Sequence, residues 1–179
     1  MKNYMGTDLP VANPLIRTVT CPYTGVELAT VPALRPDVTI IHAQRADEQG
    51  NTQVWGLLGV QKEAAFASQR VIVVVEELVD ESVIRADPNR TLIPGMIVDA
   101  VVVEPWGAHP SYAQGYYDRD NDFYVNWEPI SRDPEKLQAY LDEFVHGVRD
   151  RAEYMARQPE LKERLRAGTQ MAAGVNYGF

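Results

Sequence analysis

The sequence holds a single cysteine, Cys21, so no intramolecular disulfide can form. A lone thiol is a liability in an oxidising compartment, and a cytoplasmic protein is the expectation. Long apolar runs are also missing. VIVVV (71–75) and AVVV (100–103) fall far short of the roughly 20 residues that cross a bilayer, which excludes a transmembrane helix. The opening MKNYMGTDLPVANP has one lysine and no apolar h-region, so it does not read as a signal peptide. Basic clusters are absent: the formal net charge is −8 and the Lys and Arg residues are scattered, which argues against a nucleic-acid or anionic-membrane partner. The three histidines, His42, His109 and His146, show no metal-ligand spacing among themselves or with Cys21, so no metal site is expected. Neither GxGxxG nor GxxxxGK[ST] occurs, which removes the usual dinucleotide and nucleotide-triphosphate sites. No GxSxG elbow occurs either, and Ser111, after His109 and Pro110, has no base partner in sequence. No catalytic nucleophile announces itself.

What is present suits one soluble domain: 179 residues, 45% hydrophobic and 23% charged. Residues 1–36 are rich in Pro, Thr and Gly and read as an extended connecting region. An α/β core is expected over 37–130. DVTIIHA (37–43) and VIVVVEEL (71–78) are apolar strands of the kind buried on both faces of a sheet, and VQKEAAFASQ (60–69) between them suits a helix. Strand, helix and strand make a βαβ unit of a parallel sheet. TQVWG is expected as a short strand after the turn at Asp47, Gly50 and Asn51, and MIVDAVVV (96–103) as a third buried strand. A helical cap is expected over 133–167. It opens with Asp133 as N-cap and Pro134 as first helical residue, and it ends in a charged helix over 159–166. Residues 168–179 read as a mobile or partner-bound tail. Three buried strands with few covering helices are thin for a layered sheet, and exposed parallel edges invite association, so a preceding segment or a partner is expected.

Candidate site residues fall at strand ends, where open α/β sheets bind ligands. His42 and Gln44 end the first strand, and each is either a satisfied interior polar group or a contact to substrate or subunit. Asn51 belongs to the Asp-x-x-Gly-Asn turn, which it either simply builds or lends to a site. Glu76 and Glu77 end the second strand. Neighbouring strand residues point to opposite faces, so they do not form an acid–base pair; a salt bridge or the capping of a nearby loop is the expected role. After the third strand comes EPWGAHPSYAQGYYDRDN (104–121), with neither strand nor helix periodicity. Extended to Trp127, it holds seven of the chain's 16 Phe, Trp and Tyr residues. Ordered loops of this length are commonly functional, and Trp106, His109 and Tyr116 are assigned to a substrate wall or a subunit interface.

Four segments together, PALRPDVTIIHAQRADEQGN (32–51), VWGLLGVQKEAAFASQRVIVVVEELVD (54–80), IPGMIVDAVVVEPWGAHPS (93–111) and GYYDRDNDFY (115–124), resemble the A (alpha) subunit of the glutaconate-type family I coenzyme A transferases. The resemblance runs from about Gly6 to Tyr154. It implies a three-layer α/β/α sheet of the CoA-transferase type, incomplete at its N-terminus, with C-terminal helices. The chain would be the C-terminal portion of the alpha subunit, from a truncated or split gene product or an internal start. The resemblance further implies a partner, the B (beta) subunit of the CoA-transferase, in a hetero-oligomer. The catalytic glutamate would lie on that partner, with acyl-CoA and a free carboxylic acid as substrates. Coenzyme A thioester is then a substrate, and no permanently bound cofactor is implied. His42, Gln44, Asn51, Trp106, His109 and Tyr116 would supply substrate pocket or subunit interface. Relatives of the same superfamily include hydrolases that open a carbon ring and decarboxylases of acyl-CoA thioesters. These, and a non-catalytic remnant that binds the beta subunit, are the alternatives.

Overall fold

The computed structural model describes residues 4–167, and the expected tail at 168–179 lies outside the described residues. Elements are numbered in chain order. The chain divides into two compact units, Met1–Arg35 and Pro36–Phe179. In the first unit, a short helix α1 (Leu9–Ala12) precedes strands β1 (Arg17–Thr20) and β2 (Glu27–Thr30), which pair antiparallel in register Arg17 to Thr30. The expected extended region thus holds a hairpin.

The second unit is built on a five-stranded sheet. Its strands are β3 (Val38–Ala46), β4 (Thr52–Gln53), β5 (Arg70–Leu78), β6 (Thr91–Ile93) and β7 (Ala100–Val103), in spatial order β6-β4-β3-β5-β7. The β3, β5 and β7 strands run parallel, while β4 and β6 add antiparallel. The sheet is therefore mixed, where the apolar runs suggested parallel pairing. The short strand expected at TQVWG is present, reduced to Thr52–Gln53, and β6 lies where no strand was expected. The third strand is shorter than MIVDAVVV, because Gly95–Ile97 form a 3-10 turn before it, and it is an exposed edge strand where a buried one was expected.

Register decides what each face does. Ile41 sits beside Val73 and Ala43 beside Val75. With Val71, Val54 and Ile93 these side chains form a buried cluster, joined by Ala65 of helix α2 (Gln61–Ala67). The alternate residues face the other way, since successive side chains on a strand switch faces. On that second face Val38, Ile40 and Val102 are exposed, Ile40 at 67%. Toward the carboxyl end the same face carries His42 and Gln44 on β3 and Glu76 on β5. The face is apolar where it is open and polar where the chain's own loop covers it.

Helix α3 (Glu81–Ala86) follows β5, capped by Asp80, which accepts from the Ser82 N–H. Beyond the long loop come α4 (Asn121–Ser131), α5 (Pro134–Leu141), α6 (Arg151–Ala156) and α7 (Leu161–Arg164). Asp133 caps α5 as expected, its side chain accepting from the N–H groups of Glu135 and Lys136. Helix α5 runs into a π turn over Asp142–His146, which interrupts the regular helix of the cap. In α7, Leu161 and the following Leu165 are buried, which corrects the expectation of a charged helix with little apolar face. No helix among the described residues is long and apolar enough to cross a membrane.

Candidate active-site face

The site grows from the carboxyl ends of β3 and β5. Glu76 is 7% exposed and accepts three hydrogen bonds: His42 Nε2 at 2.6 Å and the Tyr117 hydroxyl at 2.6 Å on Oε1, and the Trp106 backbone N–H at 2.7 Å on Oε2. A buried carboxylate needs such partners, because leaving one unpaired costs several kcal/mol of desolvation. Glu76 thus both caps a loop and pairs with a neighbouring side chain. With three donors converging on it, Glu76 orients its neighbours.

Tyr116 and Tyr117 straddle the end of β5. Tyr117 donates to Glu76 and Tyr116 donates to Glu77 at 2.6 Å, so two adjacent acids on opposite faces meet two adjacent phenols. Burial, reinforced by these carboxylates, raises both hydroxyls well above the ordinary tyrosine range, and both stay protonated donors. Tyr117 also accepts from the Ala108 N–H at 3.0 Å.

The loop is held against this pair by Trp106, which has φ +68. The left-handed region costs a non-glycine residue about 1–2 kcal/mol. Offsetting contacts are the Glu76 bond to its N–H, stacking on Tyr117 at 4.2 Å, and the Arg151 guanidinium on its carbonyl at 2.5 Å. The next residue, Gly107, lies under the His42 ring. A Cβ there would come within 2.9 Å of His42 Cε1 and of the Glu104 carbonyl oxygen. The geometry makes His42 a carboxylate-oriented imidazole whose Nδ1 has no hydrogen-bond partner among the described residues, and whose side chain keeps 21% exposure. Such an imidazole can offer one ring nitrogen to a ligand while the carboxylate fixes the tautomer.

Two cavities flank this cluster. One of about 620 Å³ is lined by Glu76, Trp106, Tyr116, Tyr117, Lys162 and Arg166, among others. A smaller one of about 140 Å³ is lined by His42, Gln44, Trp55, Gln61 and Tyr112, among others. The Gln44 amide closes a reciprocal pair with the Trp55 backbone, donating to its carbonyl at 3.0 Å and accepting its N–H at 3.3 Å.

Of the residues singled out from sequence, His42, Gln44, Trp106 and Tyr116 line these two cavities. Asn51 is elsewhere: its amide bonds the buried Asp47, and its Oδ1 accepts from the Gly95 N–H at 3.0 Å. His109 is also apart from the cavities, with a side chain at 0% exposure. Its Nε2 bonds Asp120 at 3.1 Å and its Nδ1 faces the Tyr154 hydroxyl at 3.1 Å, and Tyr140 bonds Tyr154 in turn. Burial raises Tyr140 to about 12, with Tyr154 adding to the shift. This chain of contacts pins the loop to α4, whose N-cap is Asp120, and to α6. Sequence reasoning did not assign Glu76 and Tyr117 to the site or foresee Lys162 and Arg166 on its rim. The matched doublets Glu76-Glu77 and Tyr116-Tyr117 were the available signal for the first two.

The His109 brace has a pH consequence. Burial lowers the His109 pKa, partly opposed by the Asp120 hydrogen bond, with Arg151 adding to the depression. Burial pushes Asp120 upward, but hydrogen bonds from His109, the Phe123 N–H and Arg164 hold it below its ordinary value. In both cases the unfolded state binds protons more readily, so stability rises with pH. For His109 the contribution is complete above about pH 6.5 and is lost as the pH falls from there toward the depressed folded value; Asp120 adds a further loss below about pH 4. Urea midpoints at pH 7.5, 6.5 and 5.5 should decline in the wild type and decline less in His109→Gln. Parallel profiles would remove His109 as the cause.

Comparison with known proteins agrees with this geometry. The model of the family described as Coenzyme A transferase matches residues 9–104. The chain is 51% identical over 162 residues to the A (alpha) subunit of 3-oxoadipate CoA-transferase from Pseudomonas knackmussii, covering 90% of this chain and 57% of that protein. It is 40% identical over 131 residues to the A (alpha) subunit of glutaconate CoA-transferase from Acidaminococcus fermentans, covering 73% and 41%. The crystal structure of glutaconate coenzyme A-transferase from Acidaminococcus fermentans matches with a TM-score of 0.80 at 35% identity, over 87% of this chain and 50% of that one. The chain belongs to the coenzyme A transferase family, and its fold is of that α/β class. It spans about half the length of the curated relatives it matches.

Proposed function

We propose that the chain acts as the alpha subunit of a heteromeric CoA-transferase, moving CoA between an acyl-CoA of the 3-oxo or dicarboxylic type and a free carboxylic acid. The observation that carries this reading is a pairing. A cavity walled by Trp106, Tyr116 and Tyr117 at the end of the parallel strands occurs in a chain 51% identical to the A (alpha) subunit of a 3-oxoadipate CoA-transferase. In the proposed reaction a beta-subunit glutamate attacks the thioester carbonyl and expels CoA thiolate, leaving an acyl–glutamyl anhydride. The thiolate then attacks the glutamyl carbonyl, releasing the acyl group as its carboxylate and forming a glutamyl-CoA thioester. The acceptor acid reverses these steps and leaves as the new acyl-CoA. Covalent catalysis of this kind splits one hard transfer into easier ones.

The role read for this chain is to shape and dry the acyl side of the site. Trp106 and Tyr116 present aromatic surface to the acyl chain, with Tyr117 stacked behind Trp106. His42, its Nε2–H committed to Glu76, presents its outer ring nitrogen as a hydrogen-bond acceptor beside the small cavity. The reading predicts that the beta subunit co-purifies with the chain, that the native assembly exchanges labelled CoA between an acyl-CoA and a free acid, and that the chain alone does not. Exchange by the isolated chain would overturn the division of labour.

A further inference from the structure

The large cavity is lined by groups of two kinds. One is Glu76, which accepts three hydrogen bonds, with the Trp106–Tyr117 stack beside it. The other is a pair of cations, Lys162 of α7 and Arg166 just beyond its end. The segment divides its side chains by task. Leu161 and Leu165 are buried in a cluster with Tyr117 and Tyr154, and Arg164 is committed to Asp120 at 2.9 Å and Asp122 at 2.7 Å. Lys162 and Arg166 take part in none of the ion pairs among the described residues, although the chain carries a net charge of −8 and carboxylates are plentiful. Glu163 shares the cavity rim without pairing to either.

The backbone that carries these two cations is fixed in place. Tyr117 and Arg166 form an antiparallel bridge, the Asp118 N–H donates to the Leu165 carbonyl at 2.7 Å, and the Ala167 N–H donates to the Tyr116 carbonyl at 3.2 Å. The two cations thus line, without an ion-pair partner among the described residues, a cavity that also holds aromatic walls and the Glu76 carboxylate.

We propose that Lys162 and Arg166 hold the distal carboxylate of a dicarboxylic acyl group and so set specificity for dicarboxylic over monocarboxylic substrates. This rests on the CoA-transferase reading above. The Glu76 charge repels a second carboxylate, so the substrate lies with its carboxylate against Lys162 and Arg166 and its carbon chain along Trp106 and Tyr116. Arg166 supplies a planar fork that suits a carboxylate, and Lys162 supplies a point charge beside it.

The test uses the native assembly with glutarate and butyrate as acceptor acids, and the double variant Lys162→Ala/Arg166→Ala. Both residues are exposed, so the fold is retained. Loss of two charge-assisted contacts should raise KM for glutarate by about 10- to 100-fold, while KM for butyrate moves by less than about 2-fold. An equal change for both acids overturns the proposal. Repeating the comparison with dephospho-CoA donors separates the other source of negative charge: a defect that vanishes with dephospho-CoA means the cations meet the CoA phosphate, and overturns the carboxylate assignment. A second readout needs no turnover. Saturable glutarate binding, seen at the Trp106 indole resonance of the assembly and abolished in the double variant, supports the proposal even where no CoA is transferred, an outcome in which the transferase reading alone fails. Absence of glutarate binding in the wild type overturns it.

Discussion

Replacing Glu76 with alanine should unfold the site end of the sheet more readily than any other single side-chain truncation, at a cost of about 3–5 kcal/mol. The variant leaves the Tyr117 hydroxyl without its acceptor in a side chain that is 1% exposed, and leaves the Trp106 N–H and the His42 ring without theirs. Trp106 also loses the clamp that holds its backbone at φ +68. With a urea slope of about 2 kcal/mol/M, the midpoint should fall by roughly 1.5–2.5 M. Glu76→Gln keeps the volume and one acceptor oxygen but turns an amide N–H₂ toward existing donors, so about half of the loss should remain. Glu77→Ala is the internal control. Glu77 is less buried and accepts the Tyr116 hydroxyl, so about 1 kcal/mol is expected. A midpoint shift under about 0.5 M for Glu76→Ala would mean that the three hydrogen bonds do not organise the loop.

The second large effect lies away from the cavities, at Gly95. A Cβ at this position would overlap the Gln49 carbonyl oxygen and approach the Asn51 nitrogen to 3.2 Å. Those atoms belong to the turn in which Asp47, at 0% exposure, accepts from the Asn51 N–H and amide at 2.8 Å each. The obstruction is backbone, with no flexible side chain to move aside, so Gly95→Ala must displace a turn built on a buried carboxylate. A loss of about 3 kcal/mol or more is expected, which in a chain of this size lowers Tm by roughly 6–12 °C. Met96, the next residue, is 91% exposed, and Met96→Ala should leave Tm within about 2 °C. Equal melting of Gly95→Ala and wild type would show that the turn relaxes freely.

Both predictions turn on features that local sequence carries unevenly. The buried strands were legible because VTIIHA and VIVVV are continuous β-branched runs, and Asp133-Pro134 was legible because a cap and a first-turn proline act through neighbouring residues alone. The short strand at TQVWG was legible from the turn before it, though only Thr52–Gln53 of it pairs; β6 was not, because a three-residue strand owes its existence to the partner beside it. Helix α4 escaped for a related reason. Its aromatics break a simple apolar stripe, yet Phe123 and Trp127 stack at 5.3 Å and meet Tyr140 of α5.

The aromatic-rich segment therefore divides in three. Trp106, Tyr116 and Tyr117 wall the large cavity, Tyr112 lines the small one, and Phe123 and Trp127 join α4 to α5. His109 shows the limit of reasoning from position along the chain. It follows the end of a strand by six residues, as a site residue would, but a histidine with both ring nitrogens occupied by Asp120 and Tyr154 is a brace. Glu76 was recognisable as a structural acid, whereas its threefold role depends on contacts from residues 34, 30 and 41 positions away.

The most direct measurement of the central claim is borohydride trapping in the native assembly, purified through this chain. Incubation with an acyl-CoA should render the assembly sensitive to borohydride. The reduction should fall on one glutamate of the beta subunit, converting its thioester to an alcohol, and should be prevented when free acceptor acid discharges the intermediate. No modification of this chain is expected. Insensitivity to borohydride together with release of carbon dioxide or of a hydrolysed acid, or reduction at a residue of this chain, would contradict the account.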